Sequence, residues 1–152
     1  REPKHRAYPE LFAYIVSTLA GIDDDIAGMS TISAMIHHSL RHLWTGFYRV
    51  VAPNLLRIGP YQGSLGCLEI PFGKGVCGAA ASTLQVQRVD DVHDFPGHIA
   101  CDSASNSEIV VPIIRDGDLF GVLDLDSPKK ARFTEEDEAG CARLAEILAR
   151  AL

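Results

Sequence analysis

Asp116-Gly117 stands between two apolar, β-branched runs, residues 108–114 and 119–125. An Asp-Gly step suits the tight turn that joins antiparallel strands. Each flanking run is strand-length and rich in valine, isoleucine and leucine. This part of the chain therefore commits to a hairpin, and the rest must fold around a sheet.

The second strand of that hairpin carries unusual chemistry. In Phe120-Gly121-Val122-Leu123-Asp124-Leu125-Asp126-Ser127, two aspartates alternate with leucines. A period of two puts Asp124 and Asp126 on one face, ~7 Å apart along the strand, with Leu123 and Leu125 on the other. The facing strand begins at Glu108, so three carboxylates are expected around one concavity. Like charges at close range raise a carboxyl pKa. One acid would then stay protonated as a proton donor, while ionised partners hold a substrate ammonium. The plainer alternative is a solvated acidic strand end.

Upstream, residues 8–20 place Leu11, Ile15 and Leu19 at helical spacing, with Pro9 near the expected start. Gly21 stops that segment. Asp23 to Asp25 offer a cap for a second helix with Ile26, Met29, Ile32, Ile36 and Leu40 on one face. Residues 44–51 and 55–58 read as paired strands around a turn at Ala52-Pro53-Asn54. Residues 59–66 read as a glycine-rich loop, 67–71 as a short extended piece, 79–83 as a small-residue helix and 86–89 as extended. Residues 90–107 form a long loop, of the kind that is usually functional. Acids at 135–137 open a last helix, with Leu144, Ile147 and Leu148 inward. Helix, helix, strands, helix implies an α+β layer: a mostly antiparallel sheet with helices grouped on one face.

Length and charge narrow the class. The 152 residues fit one domain, 1–152, able to bury a sizeable core without staples. At 47% hydrophobic and 22% charged, the composition is that of a globular protein. A net charge of −6 with no basic stripe argues against nucleic acid. No apolar run reaches membrane-spanning length, and residues 11–20 read as an amphipathic helix rather than a signal peptide. A reducing, cytoplasmic setting is expected, where cysteines are catalytic, metal-binding or inert.

Three of the four cysteines lie in polar, glycine-punctuated sequence: Cys67, Cys77 and Cys101. Cys101 follows Phe95-Pro96-Gly97-His98-Ile99-Ala100, where proline and glycine break regular structure. His98 and the backbone N–H groups of the turn are candidate aids to a thiolate; Asp102 would oppose one and is expected to face away. A sulfenic acid on Cys101 needs a second thiol nearby to condense with. A cysteine on a mobile glycine-rich loop suits that task, and Cys67 follows such a stretch. Cys77 sits among small residues that let backbone approach a ligand. A Cys3His zinc site from Cys67, Cys77, Cys101 and His98 is a weaker alternative, lacking a supporting ligand pair. Cys141, among alanine and leucine, reads as core. Trp44 offers either packing or an aromatic wall, with Tyr48 on the same strand face. His38 and His42 are four apart on a helical reading, but His37, His38, His42 and His93 compel no metal.

Leu43-Trp44-Thr45-Gly46-Phe47-Tyr48, Gly73-Lys74-Gly75-Val76-Cys77-Gly78, Gly97-His98-Ile99-Ala100-Cys101-Asp102, Ser107-Glu108-Ile109-Val110-Val111-Pro112 and Gly121-Val122-Leu123-Asp124-Leu125-Asp126-Ser127 together resemble the free methionine-(R)-sulfoxide reductases of the GAF domain family. The likeness runs from about Tyr8 to the C-terminus. It implies a GAF-like fold, with N- and C-terminal helices on one face of the sheet and a loop-covered pocket on the other. Cys101 then matches the nucleophile, Cys67 the resolving cysteine, and Cys77 an auxiliary thiol lining the pocket. Glu108, Asp124 and Asp126 match the acids that hold substrate. The resemblance does not divide their roles; our expectation puts Asp126 and Glu108 near the sulfoxide oxygen and Asp124 near the ammonium. Trp44 matches the wall around the substrate methyl. A Cys67–Cys101 disulfide recycled by a thioredoxin-type reductant is implied, as is a homodimer. No metal or organic cofactor is called for. The competing readings are a non-catalytic GAF module that binds a small ligand and a thiol-redox sensor.

Overall fold

The computed structural model describes residues 4–99 and 101–151. Four helices and six strands follow in the order α1 (Lys4–Leu19), α2 (Asp25–Leu40), β1 (Trp44–Ala52), β2 (Leu55–Gly63), β3 (Glu69–Pro71), α3 (Gly75–Thr83), β4 (Gln87–Val89), β5 (Ser107–Arg115), β6 (Asp118–Ser127) and α4 (Glu135–Ala151). The strands form one sheet in the order β3-β2-β1-β6-β5-β4, with every neighbouring pair antiparallel. The expected β5–β6 hairpin stands at its centre, turning through Asp116 and Gly117, both at positive φ.

The two faces of the sheet bury different chemistry. On one, Leu11, Ile15, Ile32, Ile36, Leu144 and Leu148 from α1, α2 and α4 meet Phe47, Ile109, Val111, Leu123 and Leu125. Each such side chain, fully buried, contributes about 1.5–3 kcal/mol. Cys141 lies in this core, as its apolar neighbours implied. On the other face, Val76, Ala80 and Ala81 of α3 pack against Leu56, Val110 and Val122. The architecture is therefore α+β, with the N- and C-terminal helices on one face. The short helix α3 departs from the expectation that all helices share a side.

Helix ends explain most differences from the sequence reading. Asp24 caps α2 by accepting from the Ala27 N–H at 2.9 Å. Ile26, next to the cap, is 70% exposed rather than inward, because the apolar stripe begins one turn later at Met29. Arg41 takes a left-handed conformation and donates its N–H to the His37 carbonyl, ending the helix. His42 is therefore off the helix, and no i,i+4 histidine pair forms. Instead His37 Nδ1 and His42 Nε2 both contact Thr45 Oγ1. Helix α1 begins before Pro9 and runs through it, at the loss of one backbone donor. At the start of α4 Asp137 accepts from the Thr134 N–H at 2.8 Å.

Strand β2 also overruns its expected end at Ile58 and reaches Gly63. Its glycines are consistent with loop sequence, yet pairing with β1 carries the strand to its end: Gly46 opposes Tyr61 and Trp44 opposes Gly63. A bulge lies between Gly46 and Tyr48. Among the described residues, no helix is long and apolar enough to cross a membrane.

Candidate active site

Three adjacent strands set out the acids. Glu108 on β5 opposes Asp126 on β6, and Asp126 opposes Trp44 on β1. Two residues along β6, Asp124 opposes Val110 on one side and Gly46 on the other. The expected single face is thus observed: Asp124, Asp126, Glu108 and Trp44 line one cavity, while Leu123 and Leu125 fill the helix-side core. The missing side chain of Gly46 makes room for the Trp44 ring that lines it. A Cβ there would stand 2.3 Å from Tyr61 Cβ and 2.6 Å from the Trp44 ring. Trp44 is stacked between Tyr48, at 5.8 Å between centroids, and Tyr61, at 5.1 Å. Tyr48 shares its strand face, as the spacing implied.

The roof comes from α3 and two loops. Helix α3 starts four residues earlier than expected, which puts Cys77 in its first turn. Gly78 makes the close approach possible: a Cβ there would lie 2.6 Å from the Pro71 carbonyl. Cys77 is buried, with its Sγ 3.9 Å from Glu108 Oε2. The Gly75 N–H donates to the Gly97 carbonyl at 3.0 Å and ties the helix to the loop carrying His98 and Cys101. Ala100, within that motif, lies outside the described residues.

Cys67 and Cys101 are joined by a disulfide, with Cα atoms 5.1 Å apart. Cys101 lines the cavity; Cys67, on the loop after β2, bonds to Cys101 from outside the lining. That loop is shorter than the glycine-rich stretch implied, and its backbone is anchored. Tyr48 donates its hydroxyl to the Cys67 carbonyl at 3.0 Å, and the Ile58 N–H donates to the Leu68 carbonyl at 2.9 Å. Asp102 lines the cavity mouth rather than facing away. Its carboxylate accepts from Ser64 Oγ at 2.5 Å and the Ala104 N–H at 2.8 Å, which holds it below the usual carboxylate range. The bond to Ser64 links the two cysteine loops a second time.

Burial dominates the electrostatics. Glu108 and Asp124 are 7% and 4% exposed, and burial raises both pKa values; the Asp124 charge adds to the rise at Glu108, and Asp126 to that at Asp124. Asp126 is raised by burial and then by Glu108, although Ser105 Oγ donates to its Oδ1 at 3.3 Å. Cys77 is pushed up by burial and next by Asp124, so it is a thiol. Tyr48 is raised by the same burial and acids, so its hydroxyl stays a donor. His98 is lowered by burial and then by His93, leaving it neutral near pH 7. Three buried polar atoms of residues lining the cavity have no hydrogen-bond partner: Asp124 Oδ1, Trp44 Nε1 and His98 Nδ1. Such orphans are costly unless a ligand satisfies them.

The Cys3His zinc set does not assemble, since Cys67 and Cys101 are bonded to each other. A different trio, Cys77, Glu108 and Asp124, offers ligand atoms within 4.8 Å of one another. Sequence reasoning missed three contributors to the site: Ser105 on Asp126, Ser64 on Asp102, and Tyr61 on Trp44. Only Tyr61 carried a usable signal, as an aromatic among glycines; the sheet sets it opposite Gly46, where it reaches the Trp44 ring.

Known proteins share this fold. The GAF domain model matches residues 18–152. The chain is 46% identical to Protein YtsP of Bacillus subtilis over 98% of this chain and 93% of that protein. It is 43% identical to the free methionine-R-sulfoxide reductase of Escherichia coli, over 98% and 90% of the two chains. The solved structure of the Neisseria meningitidis free methionine-R-sulfoxide reductase in complex with its substrate superposes with a TM-score of 0.96 at 40% identity, over 99% of this chain and 91% of that one. The chain belongs to the GAF domain family, in the branch that holds the free methionine-(R)-sulfoxide reductases.

Proposed function

We propose that this protein reduces free L-methionine-(R)-sulfoxide to L-methionine, with Cys101 as nucleophile and Cys67 as resolving thiol. One observation carries the reading: a disulfide to Cys101 closes over a cavity lined by three carboxyl groups of raised pKa, Glu108 and Asp124 buried and Asp126 half-buried. The relatives named as reductases of this substrate support it.

A sulfoxide sulfur becomes electrophilic once its oxygen is protonated. Glu108 and Asp126, direct neighbours across β5 and β6, are the proton donors to that oxygen. The Cys101 thiolate attacks the activated sulfur. Methionine leaves with its sulfur reduced by two electrons, and Cys101 keeps the oxygen as a sulfenic acid. Cys67 then attacks Cys101, water departs, and the disulfide forms. A thioredoxin-type dithiol reopens it, in the reducing cytoplasm where such cycles run.

Asp124 holds the substrate ammonium, satisfying its orphaned oxygen, and Trp44 walls the methyl group. An amide-flanked residue cannot supply that ammonium, so peptide-bound sulfoxide leaves a buried acid unpaired and is rejected. No metal or organic cofactor enters this chemistry.

The test is a thiol count on the reduced protein before and after methionine-(R)-sulfoxide. Loss of two thiols with one methionine formed per chain is expected. Binding without thiol loss would make the domain a sensor, and equal oxidation by peroxide and by either epimer would make it a general redox switch.

A further inference from the structure

Two leucines stand beside the disulfide with their side chains in solvent: Leu65 is 74% exposed and Leu68 65%. They bracket Cys67 in sequence, and the segment holding them is not slack. The Cys67 carbonyl accepts from Tyr48, the Leu68 carbonyl from the Ile58 N–H, and Ser64 bonds Asp102. A fixed backbone thus presents two apolar side chains around one sulfur. We propose that Leu65 and Leu68 form the docking surface for the dithiol protein that reduces Cys67–Cys101, and that its attacking thiolate takes Cys67.

The inference rests on the reductase cycle proposed above and names the partner's footprint within it. An attacking thiolate must approach the bonded sulfur closely, so a protein carrying it covers whatever flanks that sulfur. Beside the Ser64–Asp102 pair, Cys67 is flanked by the exposed Leu65 and Leu68, and a thiol set in an apolar face complements these two by removing them from water. Cys101 is the more exposed of the two cysteines, so access alone does not choose the sulfur. The leaving group does. Attack on Cys67 expels the Cys101 thiolate, the member of the pair that the cycle uses as an activated nucleophile, and the better-stabilised thiolate leaves faster.

The exchange balances. The partner's first sulfur bonds to Cys67 Sγ as the Cys67–Cys101 bond breaks, and the electron pair leaves on Cys101 Sγ. The partner's second thiolate then attacks its own first sulfur, which releases Cys67 to take up a proton. Two electrons pass to the chain, and the partner leaves as a disulfide.

The test follows reduction of the oxidised protein by thioredoxin, read as NADPH consumed through thioredoxin reductase. It requires no methionine sulfoxide, so a failure of the substrate assignment appears separately, as absent thiol loss with the sulfoxide. In the L65S/L68S variant the KM for thioredoxin is expected to rise about tenfold or more, the scale of losing interface anchors. Reduction by dithiothreitol, which needs no docking surface, should be unchanged. An unchanged thioredoxin KM overturns the proposal. So does a variant that alters only self-association in size-exclusion chromatography, which would make the leucines a contact between copies. Independently of the variant's folding, a thioredoxin with its second active-site cysteine replaced by serine should be trapped on Cys67, leaving Cys101 open to alkylation. Capture on Cys101 overturns the assignment of the attacked sulfur.

Discussion

Glu108 and Asp126 are direct partners across the β5–β6 ladder, with both pKa values raised by burial. Two acids in this position share protons between them instead of ionising together. Protonation of this pair is thereby favoured on the floor of a cavity that Cys101 also lines.

Replacing Cys101 by serine removes the only sulfur of the disulfide that lines the cavity. Turnover of free methionine-(R)-sulfoxide should fall by about 10³-fold or more, the scale of losing a catalytic nucleophile. A methionine-formation assay decides it; retained turnover takes the nucleophile role from Cys101.

Cys67→Ser separates chemistry from recycling. A rapid-quench experiment should show one methionine per chain at the native rate, then a stall with thioredoxin as reductant. Sustained multiple turnover would move the resolving role to Cys77, the buried thiol near Glu108.

The carboxyl cluster also bears on stability. A carboxyl group whose folded pKa is raised binds its proton more tightly when folded, so its contribution declines as pH climbs above the unfolded value of about 4. Asp124→Asn removes one such group. The reduced, substrate-free variant should melt several degrees higher than the parent near neutral pH, and this gap should narrow as pH is lowered towards about 5. His37 and His98, held low by burial, pull the other way in both proteins and cancel in the difference. The same variant should lose about 10²-fold in kcat/KM, the scale of unpairing a buried charge. Calorimetry across pH, beside the activity assay, reads both; a gap that widens on acidification contradicts the assigned sign.

Gly46→Ala puts a methyl group into space held by Tyr61 and the Trp44 ring. Overpacking of this kind costs about 1–3 kcal/mol. Substrate KM should rise with kcat less affected, because the aromatic wall moves while Cys101 does not. Urea unfolding and steady-state kinetics check the two halves.

The hairpin was legible because turn chemistry and strand period agree: Asp116-Gly117 fixes the turn, and Leu123 and Leu125 bind β6 to the core in the one register that leaves Asp124 and Asp126 inside the cavity. Cys101 and its loop were legible from composition, and the Cys67–Cys101 bond from family resemblance. Other features depend on contacts no local pattern encodes. Gly63 looks like loop until Trp44 of β1 pairs with it. Ile26 fits a helical stripe but sits where no partner covers it. Arg41 ends α2 without a glycine, so the helix seemed to carry His42. The hydrogen bonds of Ser64 and Ser105 join residues 38 and 21 apart, distances that only the assembled sheet and loops bring together.

The most direct measurement is a thioredoxin-coupled assay on separate samples of free R and S methionine sulfoxide and of an N-acetylated, C-amidated R sulfoxide. NADPH oxidation is expected with the free R epimer alone, tracking methionine one for one. Equal rates with both epimers, or consumption with none, would contradict an acid floor and a reactive sulfur acting together on one bound amino acid.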